Sequence, residues 1–495
     1  MGRYRIGFDF GTSTTKVCYY ELDRKEFGLF KWSGNIDRPT VASVEDGLMS
    51  YAHNADHDGD EVYRYFKMAS FIDSEYLTLI KQDLNDIDVS ISELYSKSNY
   101  LIHSEGISIS AELMSSLYIA DTVLYIQKNI SKNNQERRAL GGGFFSRRNE
   151  DTNTFSYVFG FPTEFNQNQH VSRLVKMRSI LYVAFKLIED YQSIEKFGEA
   201  KLNDLIIMAE MILDELKNSP ELLSDYLLKK GIRIYPEAAA SLAFIKMNGS
   251  LTQGKYYASM DIGAGTSDIA LFNLTHDGWI RYLASESISI ASNNLAATYM
   301  RDSSNNAIAK FNKEISNRNG AYFDKRRFDE NLDSFQFALS RTIYRLYNHR
   351  AFRQLRADNM SVHDTFDGQQ CLMYGGGAEY FRNRRNQEML LHDNFAGLNP
   401  TSLVIAPLVE QDNLNLSFKG ANDLSNFELS KILVALGLSI TISDHALTSE
   451  ELIPDWLFLE DYCDGSNMFQ YREVAHPSNE NMYLKVYDIV TQKSL

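Results

Sequence analysis

The sequence predicts an α/β protein of two lobes with a cleft between them, on three observations. The first is a pattern that occurs twice, in Ile6-Gly7-Phe8-Asp9-Phe10-Gly11-Thr12-Ser13-Thr14-Thr15-Lys16 and in Met260-Asp261-Ile262-Gly263-Ala264-Gly265-Thr266-Ser267-Asp268-Ile269-Ala270. Each reads as apolar strand, Asp, small-residue turn, hydroxyls and apolar strand again. The second is Leu372-Met373-Tyr374-Gly375-Gly376-Gly377-Ala378, a glycine run directly behind an apolar strand. The third is the length of 495 residues, far more than one hydrophobic core needs.

An Asp inside an apolar strand is costly to bury unless it is paired or near a metal. Glycines let turn backbone approach a ligand, and turn N–H groups with Thr and Ser hydroxyls hold phosphate oxygens. Two such hairpins describe jaws closing on one polyphosphate. Gly11, Thr12, Ser13 and Thr14 line the first jaw, and Gly263, Gly265, Thr266 and Ser267 the second. Asp9 and Asp261 then face each other across the cleft, where carboxylates suit magnesium through its waters. Strand alternation leaves open whether Thr15 joins them, and Asp268 is either structural or close to the metal.

Residues 4–20 read as strands around the first turn, and 26–52 as further strands and loops containing Trp32 and Pro39. In the acidic loop 54–61, Asp56, Asp58 and Asp60 fail the spacing of a calcium loop. Helical periodicity covers 110–131. A polar loop is expected over 132–153, through Gly141-Gly142-Gly143, where Phe144 and Phe145 are either part of an exposed loop or a docking point. Residues 170–230 are helical, with Leu202, Leu205, Ile206, Ala209, Ile212, Leu213 and Leu216 at 3–4 spacing. This stretch is an elaborated lobe or a partner-binding subdomain. Tyr235-Pro236-Glu237-Ala238-Ala239-Ala240 places Pro at a helix start. Strands return over 256–290, helix over 291–356, and strand and turn over 370–378. Ser425 and Glu428 have capping-box spacing ahead of a helix over 429–438, and 445–495 form a tail. The expected division is a first lobe of 1–254 and 426–495, with a helical insertion at about 185–230, and a second lobe of 255–425.

The first hairpin, the Pro-Glu-Ala helix, the second hairpin and the glycine run, in that order, resemble the superfamily that contains actin, the heat-shock protein 70 (DnaK-type) ATPase domain and the sugar kinases. Three shorter segments resemble the DnaK-type branch. Tyr65-Phe66-Lys67-Met68-Ala69 looks like its active-site lysine segment. Ile109-Ser110-Ala111-Glu112-Leu113-Met114-Ser115-Ser116-Leu117 looks like a helix of that family. Val158-Phe159-Gly160-Phe161-Pro162-Thr163-Glu164-Phe165-Asn166 looks like the proline strand that follows this helix. The resemblance implies the actin-like fold, made of duplicated ribonuclease-H-like lobes, with ATP or ADP and Mg2+ as cofactors. It implies that Gly375, Gly376, Gly377 and Ala378 contact the adenosine. It also implies four catalytic residues: Asp9 and Asp261 at the metal, Lys67 near the γ-phosphate, and Glu237 positioning water. Lys16 is a second cation candidate, although its strand position favours solvent.

Two departures bear on the branch. DnaK-type proteins place Glu before the proline, where Tyr235 stands; the order Pro236-Glu237 resembles plasmid-partition actins of the ParM type. The family's base-packing Arg is replaced by Glu379, leaving Tyr380 or Arg382 to stack on the base. Asn293 and Asn294 stand where that family has a glycine-rich turn.

A hydrophobic fraction of 44% and a charged fraction of 23% fit a soluble globular chain. The net charge of −15 argues against unspecific binding of nucleic acid or anionic membrane. Cys18, Cys371 and Cys463 lack pairing or metal spacing and read as reduced thiols of a cytoplasmic protein. No apolar run approaches the roughly 20 residues of a membrane span, and no signal peptide is expected. The leading expectation is a divergent DnaK-like ATPase without the substrate-binding module. It would hydrolyse ATP slowly and switch protein partners through its nucleotide state. The alternatives are an actin-like filament former of ParM type, a small-molecule kinase and a nucleotide-binding scaffold. An oligomer or filament is compatible with the first two.

Overall fold

A computed structural model describes residues 2–55, 62–71, 109–140, 153–161, 167–218, 222–247, 255–274, 280–288, 291–301, 310–311, 314, 323–332, 335, 339, 371–381, 418–419, 424 and 426–440. The loop bearing Asp56, Asp58 and Asp60, the Phe144 and Phe145 pair, the turn 162–166, most of 302–356, Arg382, Ser425 and the tail 445–495 lie outside the described residues.

Strand β1 (Arg3–Asp9) is buried at every position after Arg3, as its apolar sequence requires of a central strand. It turns into antiparallel β2 (Thr14–Glu21), with Asp9 opposite Lys16. Strand β3 (Glu26–Leu29) continues the antiparallel run, and β4 (Asp37–Pro39) pairs with the turn end of β2. Pro39 donates no ladder bond, which suits a short strand of this kind. Strands β5 (Val41–Glu45), β6 (Leu48–Tyr51) and β7 (Val62–Arg64) make a separate antiparallel sheet. Helices α1 (Phe66–Phe71) and α2 (Ala111–Leu140) precede β8 (Thr154–Phe161), which lies parallel to β1.

Helices α3 (Gln167–Tyr191), α4 (Ile194–Gly198), α5 (Leu202–Asn218) and α6 (Leu222–Lys229) follow where the periodicity expects them. On α5 the residues Leu202, Leu205, Ile206, Ala209, Ile212 and Leu216 are buried, while Ile207 and Met211 face outward. Strand β9 (Ile232–Pro236) joins parallel to β8 and leads into α7 (Glu237–Met247). The second half contains β10 (Lys255–Ile262), β11 (Ser267–Leu274), β12 (Ile280–Ile288), α8 (Ser292–Met300) and β13 (Cys371–Tyr374). Strand β14 (Phe418–Lys419) returns to the first sheet beside β3, and α9 (Asn426–Ile440) ends the described chain.

The two large sheets repeat one order. The first contains β3-β2-β1-β8 and the second is β12-β11-β10-β13. In both, three antiparallel strands are extended by one strand parallel to the first of the three. This is the duplicated ribonuclease-H-like arrangement the sequence leads one to expect. Its consequence is that turns 10–13 and 263–266 occupy equivalent sheet ends.

Residues 132–140, expected as the start of a polar loop over 132–153, are helical instead, because α2 continues to Leu140. Lys132, Gln135, Glu136, Arg137 and Arg138 are good helix formers, and no Gly or Pro stands before Gly141. A turn already nucleated over buried Met114 to Ile130 propagates through them at little cost.

Helix α9 packs on β1, β2 and β8 of the first sheet and also on α7, the helix that follows β9. One hydrophobic cluster joins Ala240 and Phe244 of α7, Leu433 and Leu436 of α9, and Leu372 and Tyr374 of the second sheet. The helices approach closely at Gly437, where an added Cβ would lie 1.8 Å from the Ala240 carbonyl oxygen. Gly437→Val is therefore expected to cost about 3 kcal/mol by overpacking, read as a lowered thermal midpoint. An unchanged midpoint would show that the two helices are not in contact. Among the described residues, no helix is long and apolar enough to cross a membrane.

Candidate active site

The turns of the two sheets meet. The Gly11 amide donates to the Asp9 carbonyl at 3.1 Å, and the Gly263 amide to the Thr266 carbonyl at 2.9 Å. The second turn is also held by α8, whose Ser292 and Asn293 amides donate to the Gly263 and Ala264 carbonyls at 3.1 and 3.0 Å. A side-chain carbon built on Gly265 would lie 2.7 Å from Thr12 Oγ1 and 2.9 Å from Met68 Cγ. Only glycine admits that approach between the lobes. Gly11, Ser13, Thr14, Gly263 and Thr266 remain partly exposed, whereas Thr12, Gly265 and Ser267 are buried.

Acidic and basic groups converge below these turns. Lys16 Nζ lies 3.4 Å from Asp9 Oδ2 across the β1–β2 ladder. Lys67 Nζ, on α1, donates to Glu237 Oε1 at 3.0 Å, and both side chains are almost wholly buried. The ammonium also lies 5.9 Å from the centre of the Phe10 ring. Glu237 is the first residue of α7, where the helix N-terminus favours a carboxylate. Burial still raises its pKa, with Asp9 adding to the shift and Lys67 and Lys16 opposing it. Asp261 is pushed further, well above the ordinary carboxylate value, by burial and then by Asp268, Asp9 and Glu237. Burial opposes the charge on Lys16, but Asp9, Asp37 and Asp261 outweigh it and raise its pKa.

Breaking a buried ion pair from one side strands the other charge. Lys67→Met is expected to destabilise the protein by about 3–5 kcal/mol. A denaturant titration reads this, and a loss under 1 kcal/mol would mean the pair is solvated.

The glycine run sits beside Asp261. Strand β13 pairs in parallel with β10, with Tyr374 opposite Asp261, and a 3₁₀ turn over Gly376–Phe381 follows. Gly375, Gly377 and Ala378 are buried and Gly376 is partly exposed. Tyr380 differs from its expected stacking role: its ring packs edge-on against Phe311 at 5.9 Å and Phe328 at 6.2 Å. Those aromatic neighbours, distant in sequence, draw it into the side-chain packing of the second lobe.

The structure thus brings together Asp9, Lys67, Glu237 and Asp261 with both turns and the glycine run. It revises Lys16, expected to face solvent, which is paired with Asp9 because the antiparallel register sets them opposite each other. Thr15 points away from the turn and is fully buried, its hydroxyl 3.1 Å from that of Thr40. Arg38, on the strand that braces the first turn, and Thr40, just after it, carried no signal in the sequence.

No protein-family model matches the chain. No curated protein matches it either. Among solved structures, the chain is similar to one described as the pCBH ParM non-polymerisable quadruple mutant, with 12% identity over 88% of this chain and 98% of that chain and a TM-score of 0.36.

Proposed function

We propose that this protein binds Mg-ATP between the two turns and hydrolyses it slowly, as an ATPase of actin-like type. One observation carries the reading, the charge balance of the site. Asp9, Glu237 and Asp268 act on Asp261, Asp37 joins Asp9 and Asp261 in acting on Lys16, and the cations among these acids are Lys16 and Lys67. The carboxylates outnumber the ammonium groups, which fits a site that takes a cation. Among the described residues, no three His, Cys, Asp or Glu side chains are grouped to hold a metal by themselves. That suits magnesium, which takes one or two carboxylates together with phosphate oxygens and water. Asp9 and Asp261 would hold it, and when bound it neutralises phosphate charge.

The residues of the chain then have separate tasks. Backbone amides and hydroxyls of residues 11–14 and 263–267 hold the β- and γ-phosphates. Gly375 to Ala378 let the nucleoside lie against backbone. Lys67 offers its charge to the γ-phosphate, and as it does so Glu237 loses its partner and accepts a hydrogen bond from the attacking water.

The order Pro236-Glu237, with the carboxylate directed at Lys67, supports the actin-like reading and with it nucleotide-dependent filaments. The placement of Lys67 in the site supports the second reading, a DnaK-like switch that changes protein partners with its nucleotide. Calorimetric titration with Mg-ATP and an assay for released phosphate test what the two share. Absence of both binding and release would overturn it. Sedimentation with and without ATP separates the two, because only the first predicts nucleotide-dependent pelleting.

A further inference from the structure

The first turn is held from behind by groups with no place in the proposed chemistry. Strand β4 runs beside the turn end of β2, with Thr14 opposite Pro39 and Thr15 opposite Arg38. The next residue, Thr40, is 2% exposed and makes two bonds to the turn. Its amide donates to the Ser13 carbonyl at 2.9 Å, and its hydroxyl donates to the Gly11 carbonyl at 2.9 Å. With that proton committed, the Thr15 hydroxyl is the donor in the 3.1 Å contact between the two threonines. The Gly11 and Ser13 carbonyls of the turn are thereby occupied, and the Gly11 amide is taken by the Asp9 carbonyl.

This clamp is itself anchored on α2. Tyr118 Oη donates to the Pro39 carbonyl at 3.0 Å. Arg38 Nη1 donates to Thr122 Oγ1 at 2.6 Å, and its other terminal nitrogen pairs with Asp121. The guanidinium lies 5.1 Å from the ring centre of Trp32, 5.3 Å from that of Tyr118 and 5.8 Å from that of Tyr125. Arg38, Tyr118, Asp121 and Thr122 are all buried. Four polar side chains buried together for one edge strand are expensive unless every group is satisfied, and when satisfied they hold the backbone in one place.

We propose that Thr40 is a positioning residue for the first phosphate turn. It holds the Gly11 and Ser13 carbonyls so that the turn's amides are preset for phosphate, and Tyr118 and Arg38 fix it to helix α2. The nucleotide part of this inference rests on the ATP reading above; the positioning part does not. A shift of α2 moves Pro39 and Thr40 and so reaches the turn directly.

Thr40→Val removes the hydroxyl at nearly constant volume, and Thr40→Ser restores it. Tyr118→Phe removes the outer anchor by one atom. Amide hydrogen exchange without nucleotide reads the geometry at Thr40, whose amide donates to the Ser13 carbonyl, and at Gly11, whose amide donates to the Asp9 carbonyl inside the clamped turn. Exchange is expected to rise about tenfold in Thr40→Val, to rise less in Tyr118→Phe and to stay at the parent rate in Thr40→Ser. Exchange unchanged in Thr40→Val overturns the proposal. So does a rise spread evenly over the whole chain, which would mark a general loss of stability. With nucleotide, Thr40→Val is expected to weaken ATP binding about tenfold and leave adenosine binding unchanged. If the parent protein binds no ATP while the exchange pattern holds, the ATP reading fails and the clamp stands.

Discussion

Glu237→Gln is expected to lower ATP turnover by about 10²–10⁴-fold, the range for a positioned acid or base group, while ATP affinity stays within a few-fold of the parent. The substitution keeps size and helix position, but it leaves the Lys67 ammonium without its ionic partner, so a melting curve of the variant accompanies the kinetics. Three observations single out this residue. Glu237 starts α7, directly after the strand that extends the first sheet. It is 5% exposed, so a water beside it is sheltered from bulk solvent. Its carboxylate is held by Lys67 at 3.0 Å, a cation the γ-phosphate is suited to compete for. Single-turnover phosphate release, with binding followed separately, reads the split between chemistry and affinity. Equal losses of affinity and turnover would instead assign Glu237 to binding, and unchanged turnover would remove it from the site.

Asp261→Asn is expected to do two opposite things: to raise the melting temperature of the nucleotide-free protein at neutral pH, and to abolish stabilisation by Mg-ATP. Burial first, then Asp268, Asp9 and Glu237, raise the pKa of Asp261 well above the ordinary carboxylate value, and Lys16 offsets only part of this. A group with a raised folded-state pKa favours the fold at pH below its unfolded value. That contribution is lost as pH rises through the folded value. At neutral pH the buried carboxyl therefore costs the parent protein stability, and asparagine removes that cost; the gain shrinks in acid, where the unfolded chain also holds the proton. Each kcal/mol removed raises the midpoint by about 1 °C in a chain of this length. Melting curves at neutral and acid pH, with and without Mg-ATP, check both halves. A lower midpoint at neutral pH, or Mg-ATP stabilisation that survives, would falsify the assignment of Asp261 to the metal.

The two predictions draw on different kinds of information. Asp261 was legible in the sequence, because an Asp at the end of an apolar strand ahead of Gly-x-Gly-Thr needs a charged partner wherever the strand packs. Glu237 was legible only in part. Its type and helix position could be read, but the adjacent proline pointed to one branch of the resemblance and Lys67 to another. The contact between Lys67 and Glu237 spans 170 positions, and no local pattern encodes it. Lys16 was misread for a related reason. Alternation along β2 says that Lys16 leaves the core face, but only the register with β1 sets it against Asp9. The late end of α2 has another cause: polar residues that look like a loop in isolation remain helical when a buried helix leads into them.

By itself the sequence determined the strands around both turns, the glycine run and the stripe of apolar residues on α5. These follow from short-range chemistry: strand alternation, helical spacing, and the backbone freedom of small residues next to a carboxylate. The tertiary structure alone decided which charges neutralise one another, and that Thr40, Arg38 and Tyr118 hold the first turn. A buried ion pair or a hydroxyl clamp depends on where distant strands and helices come to rest. In a buried site with few solvating groups, that placement determines the state of each charge.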